Sequence, residues 1–436
     1  MNEADGARTP QTPSYGIPIA ILVAIGIEVI ATLARLALPM PGRLSSTYWL
    51  VSSGTYGATA LLTAMGLAEL VRRLPPQLAT GARIAMIGYA VFVAMSLVNG
   101  LTTIALMSLG NTAEIVWQVR MYISLATSLA ICAGLVVAAG GVARVAPAVI
   151  GLVVTTLVLY PPPFLSVRIH ELFGASTRYV YPVVGLAHLA AQTFLIREAA
   201  RSSTYPVYPE PTAPFALLGT SLRARVIATF VLVGFTLFAV GGRSLGLMKV
   251  ALVGAPIINI AAFVVFAVAA ARAAGGLDDK LQWMFGLAAG ATAWCASVLA
   301  MQTVAVFQML NGSSDSWLGE RNVEMARALG ITMPFVATAG VVLALVAVGA
   351  HVRKLGHHAV ATKIGPHTTM FVVLMIVSVL IQIYGVPKAK SSGELVVFGI
   401  LSAVAGVIAL LTAANVFKSS SEATSSHALP TATVLS

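Results

Sequence analysis

Arg201-Ser202-Ser203-Thr204-Tyr205-Pro206-Val207-Tyr208-Pro209-Glu210-Pro211-Thr212-Ala213-Pro214 is a polar, proline-rich interruption near the middle of a chain otherwise built from apolar runs. A membrane-spanning helix needs about 20 apolar residues, and runs this long satisfy their backbone in lipid only as helices. Before the interruption the sequence predicts spans over residues 17–38, 47–70, 83–108, 121–143, 147–166 and 178–196. After it, spans are expected over 224–242, 246–271, 281–309, 325–351, 368–386 and 395–416. The fold class is therefore an all-α polytopic integral membrane protein of about 12 transmembrane helices, arranged as two direct six-helix repeats. Its parts are a cytoplasmic N-terminal tail (1–16), a first bundle (17–200), an extended linker (201–220), a second bundle (221–417) and a disordered Ser/Thr/Ala-rich tail (418–436).

The repeat extends to individual residues. Ser96-Leu97-Val98-Asn99 through Leu109-Gly110-Asn111 resembles Ser297-Val298-Leu299-Ala300 through Asn311-Gly312. A polar stretch follows each, with an acidic and then a basic residue: Glu114 and Arg120, then Glu324 and Arg327. The next span carries Ala126-Thr127 in the first half and Ala337-Thr338 in the second.

Composition fixes the environment. The 436 residues are 58% hydrophobic and 9% charged, with a mean hydropathy of +0.91. Soluble domains carry about 25% charged residues, so this chain cannot cover a soluble surface. The net charge of +11 does not mark a nucleic-acid binder, because basic residues sit at short turns such as Arg72-Arg73 and Arg353-Lys354 without a basic stripe. Of the 26 Lys and Arg residues, 15 fall on the side holding both termini, so cytoplasmic termini in the inner (plasma) membrane are expected. The stretch Met1–Tyr15 lacks the basic start of a signal peptide, and the first apolar run reads as a retained helix. Cys132 and Cys295 lie inside apolar runs and read as packing residues.

Ionisable and polar groups inside spans are costly and mark functional candidates. Glu28 lies in the middle of the first span, with Arg35 two turns further along the same face. His188 and Gln192 are one turn apart on the sixth span, as a polar pathway or as hydrogen-bonding glue. Asn259 follows Pro256 in the eighth span, where a proline frees a carbonyl, and Pro334 offers a second kink. Gln302-Thr303 and Gln382 complete the intramembrane polar set. The pairs Glu114/Arg120 and Glu324/Arg327 are expected at the outer face, as a clasp or as interface anchors. Gly286-Leu287-Ala288-Ala289-Gly290 places small residues four apart, which suits close helix contact.

No catalytic residue, metal site or cofactor is expected. His351, His357, His358 and His367 lack accompanying Cys or Asp at ligand spacing. Haem pairs, a hydrolytic triad, HExxH and a phosphate loop are not evident.

The two-by-six plan is similar in architecture to the major facilitator superfamily. The matching loop here reads Gly66-Leu67-Ala68-Glu69-Leu70-Val71-Arg72-Arg73, without that family's second glycine, and the second half offers Ala271–Lys280. No functional residue transfers on this resemblance. The sequence therefore leads to two expectations. The first is a secondary transporter of a small neutral or amphipathic solute, with its site between the halves near the midplane. The alternative is a non-transporting membrane scaffold, sensor or complex subunit. The lipid bilayer is the expected partner; the sequence carries no sign of oligomeric state.

Overall fold

The computed structural model describes residues 16–37, 46–108, 112–162, 174, 177–203, 213–242, 245–275, 279–310, 316–385 and 392–426. The side chains of Arg35, Glu114, Glu324 and Arg327 lie outside this description, as do residues 204–212 of the expected linker. The described residues form helices α1 (Ile19–Ala37), α2 (Ser46–Arg73), α3 (Pro76–Ser108), α4 (Thr112–Ala138), α5 (Val142–Leu159) and α6 (Thr177–Arg201). They continue as α7 (Ala213–Gly242), α8 (Leu245–Ala274), α9 (Asp279–Leu310), α10 (Ser316–Lys354), α11 (His358–Leu380, extended by a π-helical turn, Ile381–Gly385) and α12 (Ser392–Ser426). No strand occurs among them.

Among the described residues, nine helices are long and apolar enough to cross a membrane, and Ile19–Ala34 and Val145–Leu159 are apolar but shorter. The chain is thus an all-α, membrane-embedded protein.

Several helices overrun their apolar spans. Helix α7 starts at Ala213 and not at 224, because Phe215, Leu218 and Leu222 are buried against the rest of the second half. Helix α12 continues through Ser426, past the expected start of a disordered tail at 418. Its extension is packed, with Phe417, Ser420 and Thr424 buried. Glu114 and Arg120 belong to α4, and Glu324 and Arg327 to α10, where polar loops were expected. The close pair of spans around Arg144 resolves into two helices. The turn between them is made by Gly140 and Gly141, whose φ angles of 89° and 103° disfavour other residues.

Each half closes into a ring of sequential neighbours. In the first, α1–α2, α2–α3, α3–α4, α4–α5, α5–α6 and α1–α6 pack together, with α4 also meeting α6. In the second, α7–α8, α8–α9, α9–α10, α10–α11, α11–α12 and α7–α12 do so, with α10 meeting α12.

Between the rings, α9 packs against α1, α2 and α3, and α2 also reaches α8 and α10. Glycine makes this approach close. A Cβ at Gly290 would lie 2.9 Å from Val23 on α1, and one at Gly54 would lie 2.6 Å from Val298. At Gly57 a Cβ would lie 2.7 Å from Ser96 Oγ and 2.9 Å from Ser297 Oγ. The pair Glu69/Arg73 at the end of α2 is buried, and the Glu69 carboxylate lies against Gly275 at the end of α8. The two loop-like stretches compared in the sequence therefore touch, and Gly66–Arg73 is helix.

Candidate functional site

The polar side chains of the first half gather inside its ring. On α2, Tyr56 faces inward and its hydroxyl meets that of Tyr160 at 3.0 Å. Tyr160 is held there because Pro161 and Pro162 end α5, leaving it as the C-cap with its N–H donated to the Thr156 carbonyl. Phe92 of α3 contacts both rings, edge-on to Tyr56 at 5.7 Å and stacked with Tyr160 at 5.9 Å. Glu28 on α1 borders this layer: Thr59 Oγ1 lies 3.5 Å from its Oε2, the outer limit of a hydrogen bond. The Glu28 carboxylate interacts electrostatically with both phenols, as does the Arg120 guanidinium from α4.

A second polar layer lies about 7 Å further along α5, five residues before Tyr160. Tyr89 Oη on α3 donates to Gln192 Oε1 on α6 at 2.9 Å. Gln192 Nε2 lies 2.9 Å from His188 Nε2, and His188 Nδ1 lies 2.9 Å from Thr155 Oγ1. Thr155 closes the chain by donating to the Gly151 carbonyl at 2.7 Å. One assignment satisfies every member: the amide donates to Nε2, and a neutral imidazole donates from Nδ1 to the threonine. Cys132 on α4 adds a 3.6 Å contact to Thr156.

Two of these contacts run between helices opposite one another in the ring, α2 to α5 and α3 to α6. The groups therefore meet in its interior and not on its lipid face. Tyr56, Tyr160, Glu28, Thr155, His188 and Gln192 are nonetheless only half-buried. These inward-facing side chains thus keep part of their surface accessible.

The sequence candidates divide accordingly. Glu28, His188, Gln192 and Arg120 come together in the first ring, although Arg120 was expected with Glu114 at the outer face. Asn259 on α8 and Gln302 on α9 sit in the second half, away from this cluster. Gln382 instead fastens α11 to α12, donating to Ser402 Oγ at 3.0 Å beside the Ser378–Ser402 pair. The four histidines are spread from the end of α10 into α11, His351 against Phe215 on α7 and His367 in the interior of α11. No cluster of three potential metal ligands occurs among the described residues.

Sequence reasoning missed Tyr56, Tyr89, Tyr160 and Thr155. The available signal was tyrosine set deep in spans, away from the interfacial belts where it usually lies. It also missed Arg225, counted with the basic residues of the cytoplasmic side at the very start of the span 224–242 but lying near the midpoint of the apolar stretch Pro214–Phe235. No known protein family, characterised protein or solved structure matches this chain.

Proposed function

We propose that the chain is a secondary transporter of the cytoplasmic membrane that admits a small neutral or amphipathic, hydrogen-bonding solute into its first six-helix ring. The carrying observation is the convergence of polar side chains from all six helices on the interior of one ring. Hydroxyls, an amide and a neutral imidazole suit hydroxyl or carbonyl groups, and the Tyr56, Phe92 and Tyr160 faces suit an apolar or sugar-like surface. Glu28 is the proton-exchanging group of this reading, with Arg120 across the ring offsetting its charge.

Two direct repeats belong to the same proposal. The helix pairs packed in one half are those packed in the other under a shift of six. Ser96 and Ser297, equivalent in the sequence repeat, both meet Gly57. Yet the close packing of α9 on α1 and α2 leaves the solute a place within one half, where the sequence suggested a site between them.

The test is a thermal-stabilisation screen of purified protein against neutral polyols, sugars and zwitterionic amino acids. A stabilising solute whose effect is lost in Tyr56→Phe and Gln192→Ala, and whose uptake into proteoliposomes is lost in Glu28→Gln, supports transport. The packed seam between halves favours the second reading, a non-transporting scaffold or complex subunit. Stabilisation without uptake in the unaltered protein would select that reading.

A further inference from the structure

The second ring holds a cation that the proposed solute site does not use. Arg225 lies on α7, and its guanidinium carbon sits 4.4 Å from the centre of the Phe263 ring on α8. It also interacts electrostatically with Cys295 on α9. Both neighbours are deep. Phe263 is nine residues before Arg272, about 14 Å along the helix, and Cys295 is fifteen after Lys280, about 22 Å. Arg225 is therefore a mid-membrane arginine, which is expensive unless it is paired or put to use.

The described residues offer it no anion. Helices α7 and α8 contain no acidic residue, and the only one in α9 is Asp279 at its first position. The Arg225 Nε is enclosed without a hydrogen-bond partner. The Phe263 ring attracts the guanidinium but leaves its charge unneutralised and its donors unused.

Other polar groups point the same way. Asn259 lies one turn from Phe263 on α8, and Gln302 two turns from Cys295 on α9, so each shares a face with a neighbour of Arg225. Among the described residues, neither side chain makes a hydrogen bond, whereas the first ring's polar groups form a connected chain. Arg225, Asn259 and Gln302 each keep part of their surface accessible. Around the cation, Phe263, Cys295, Ala296, Leu299 and Ala337 form a compact apolar cluster.

We propose that Arg225 anchors a second site, in the ring α7–α12, for an amphipathic oxyanion. Its carboxylate or phosphate pairs with the guanidinium, Asn259 and Gln302 donate to it from the same faces, and its apolar part lies on the Phe263–Leu299 cluster. An anion bound there neutralises a cation that the described residues leave uncompensated, and a planar guanidinium offers it two parallel donors.

The experiment uses the full chain, purified in a non-ionic detergent and titrated calorimetrically with octanoate, inorganic phosphate and octanol. Octanoate binds and octanol does not compete with it. Arg225→Gln weakens octanoate by about tenfold or more, the loss expected for a charge-assisted hydrogen bond. Arg225→Lys keeps most of the affinity, and Asn259→Ala lowers it by a smaller factor. Binding of phosphate alone, abolished in Arg225→Gln, supports the anion site and shows that the tail is dispensable. A final arm separates the sources: octanoate displaced by phosphatidylglycerol but not by phosphatidylcholine identifies a lipid headgroup, and displacement by neither identifies a free solute. The proposal is overturned if the unaltered protein binds neither anion, or if folded Arg225→Gln binds them as well as the unaltered protein. Since Asn259 and Phe263 lie outside the first ring, a failure here leaves the neutral-solute site untouched.

Discussion

His188 shows how one residue organises the first ring, because it links Gln192 to Thr155 in a chain that begins at Tyr89. Replacing it with alanine leaves the Gln192 amide nitrogen without its acceptor, while Thr155 keeps its bond to the Gly151 carbonyl, costing about 1–3 kcal/mol. The expected outcome is a lowered melting temperature for His188→Ala with the fold retained by circular dichroism. A double-mutant cycle of Tyr89→Phe with Thr155→Val examines the chain as a unit. Transmission through Gln192 and His188 gives a coupling of about 0.6 kcal/mol or more, whereas simple additivity indicates separate contacts. Glu28→Gln is expected to leave stability nearly unchanged and to remove proton-coupled uptake, read with a pH-sensitive dye in proteoliposomes. The His188–Gln192 pair was legible in the sequence because a four-residue spacing fixes a shared face. Its partners were not, since Tyr89 and Thr155 lie 103 and 33 residues away and only ring closure brings them close.

At the scale of helices, small residues decide which pairs come together. Gly81 on α3 and Gly134 on α4 oppose each other so closely that a Cβ at either would lie 2.5–2.7 Å from the other's carbonyl oxygen. Gly134→Val is therefore expected to cost about 1–3 kcal/mol or to prevent assembly. Gly185→Ala on α6, where nothing lies within 4 Å of the added methyl, should be neutral or stabilising by up to about 1 kcal/mol. Equal losses in the two variants, measured by detergent-resistant folding yield, would contradict this account. The Gly286/Gly290 spacing announced a close contact, and the structure supplies its partner, α1 through Val23. Helix existence and order were legible because apolar runs of this length have one solution in lipid. Helix ends were not, because α7 and α12 extend beyond the bilayer-sized run and bury Phe215, Leu222 and Phe417 as soluble helices do. That overrun hid Arg225, since hydropathy alone starts the span one residue before it.

The whole molecule joins two rings of matching connectivity with different interiors. Each ring's first helix carries a charged residue in its span, Glu28 on α1 and Arg225 on α7, with opposite signs. Removing Arg225 from the cytoplasmic count narrows the basic bias, so orientation needs its own measurement. A C-terminal fusion to a reporter active only in the cytoplasm is expected to function, and activity confined to an exported reporter would invert the topology. The central claim is that water-borne solutes reach the polar interior of the first ring. Its most direct test places a single cysteine there, Thr155→Cys, in a chain whose Cys132 and Cys295 are replaced by alanine. A membrane-impermeant methanethiosulfonate should label this cysteine from one face of sealed vesicles, more slowly than the exposed Leu355→Cys, and the hydrogen-bonding solute should protect it. A cysteine at 155 that stays unlabelled from both faces, while 355 reacts fully, would mean a sealed interior and would contradict the account.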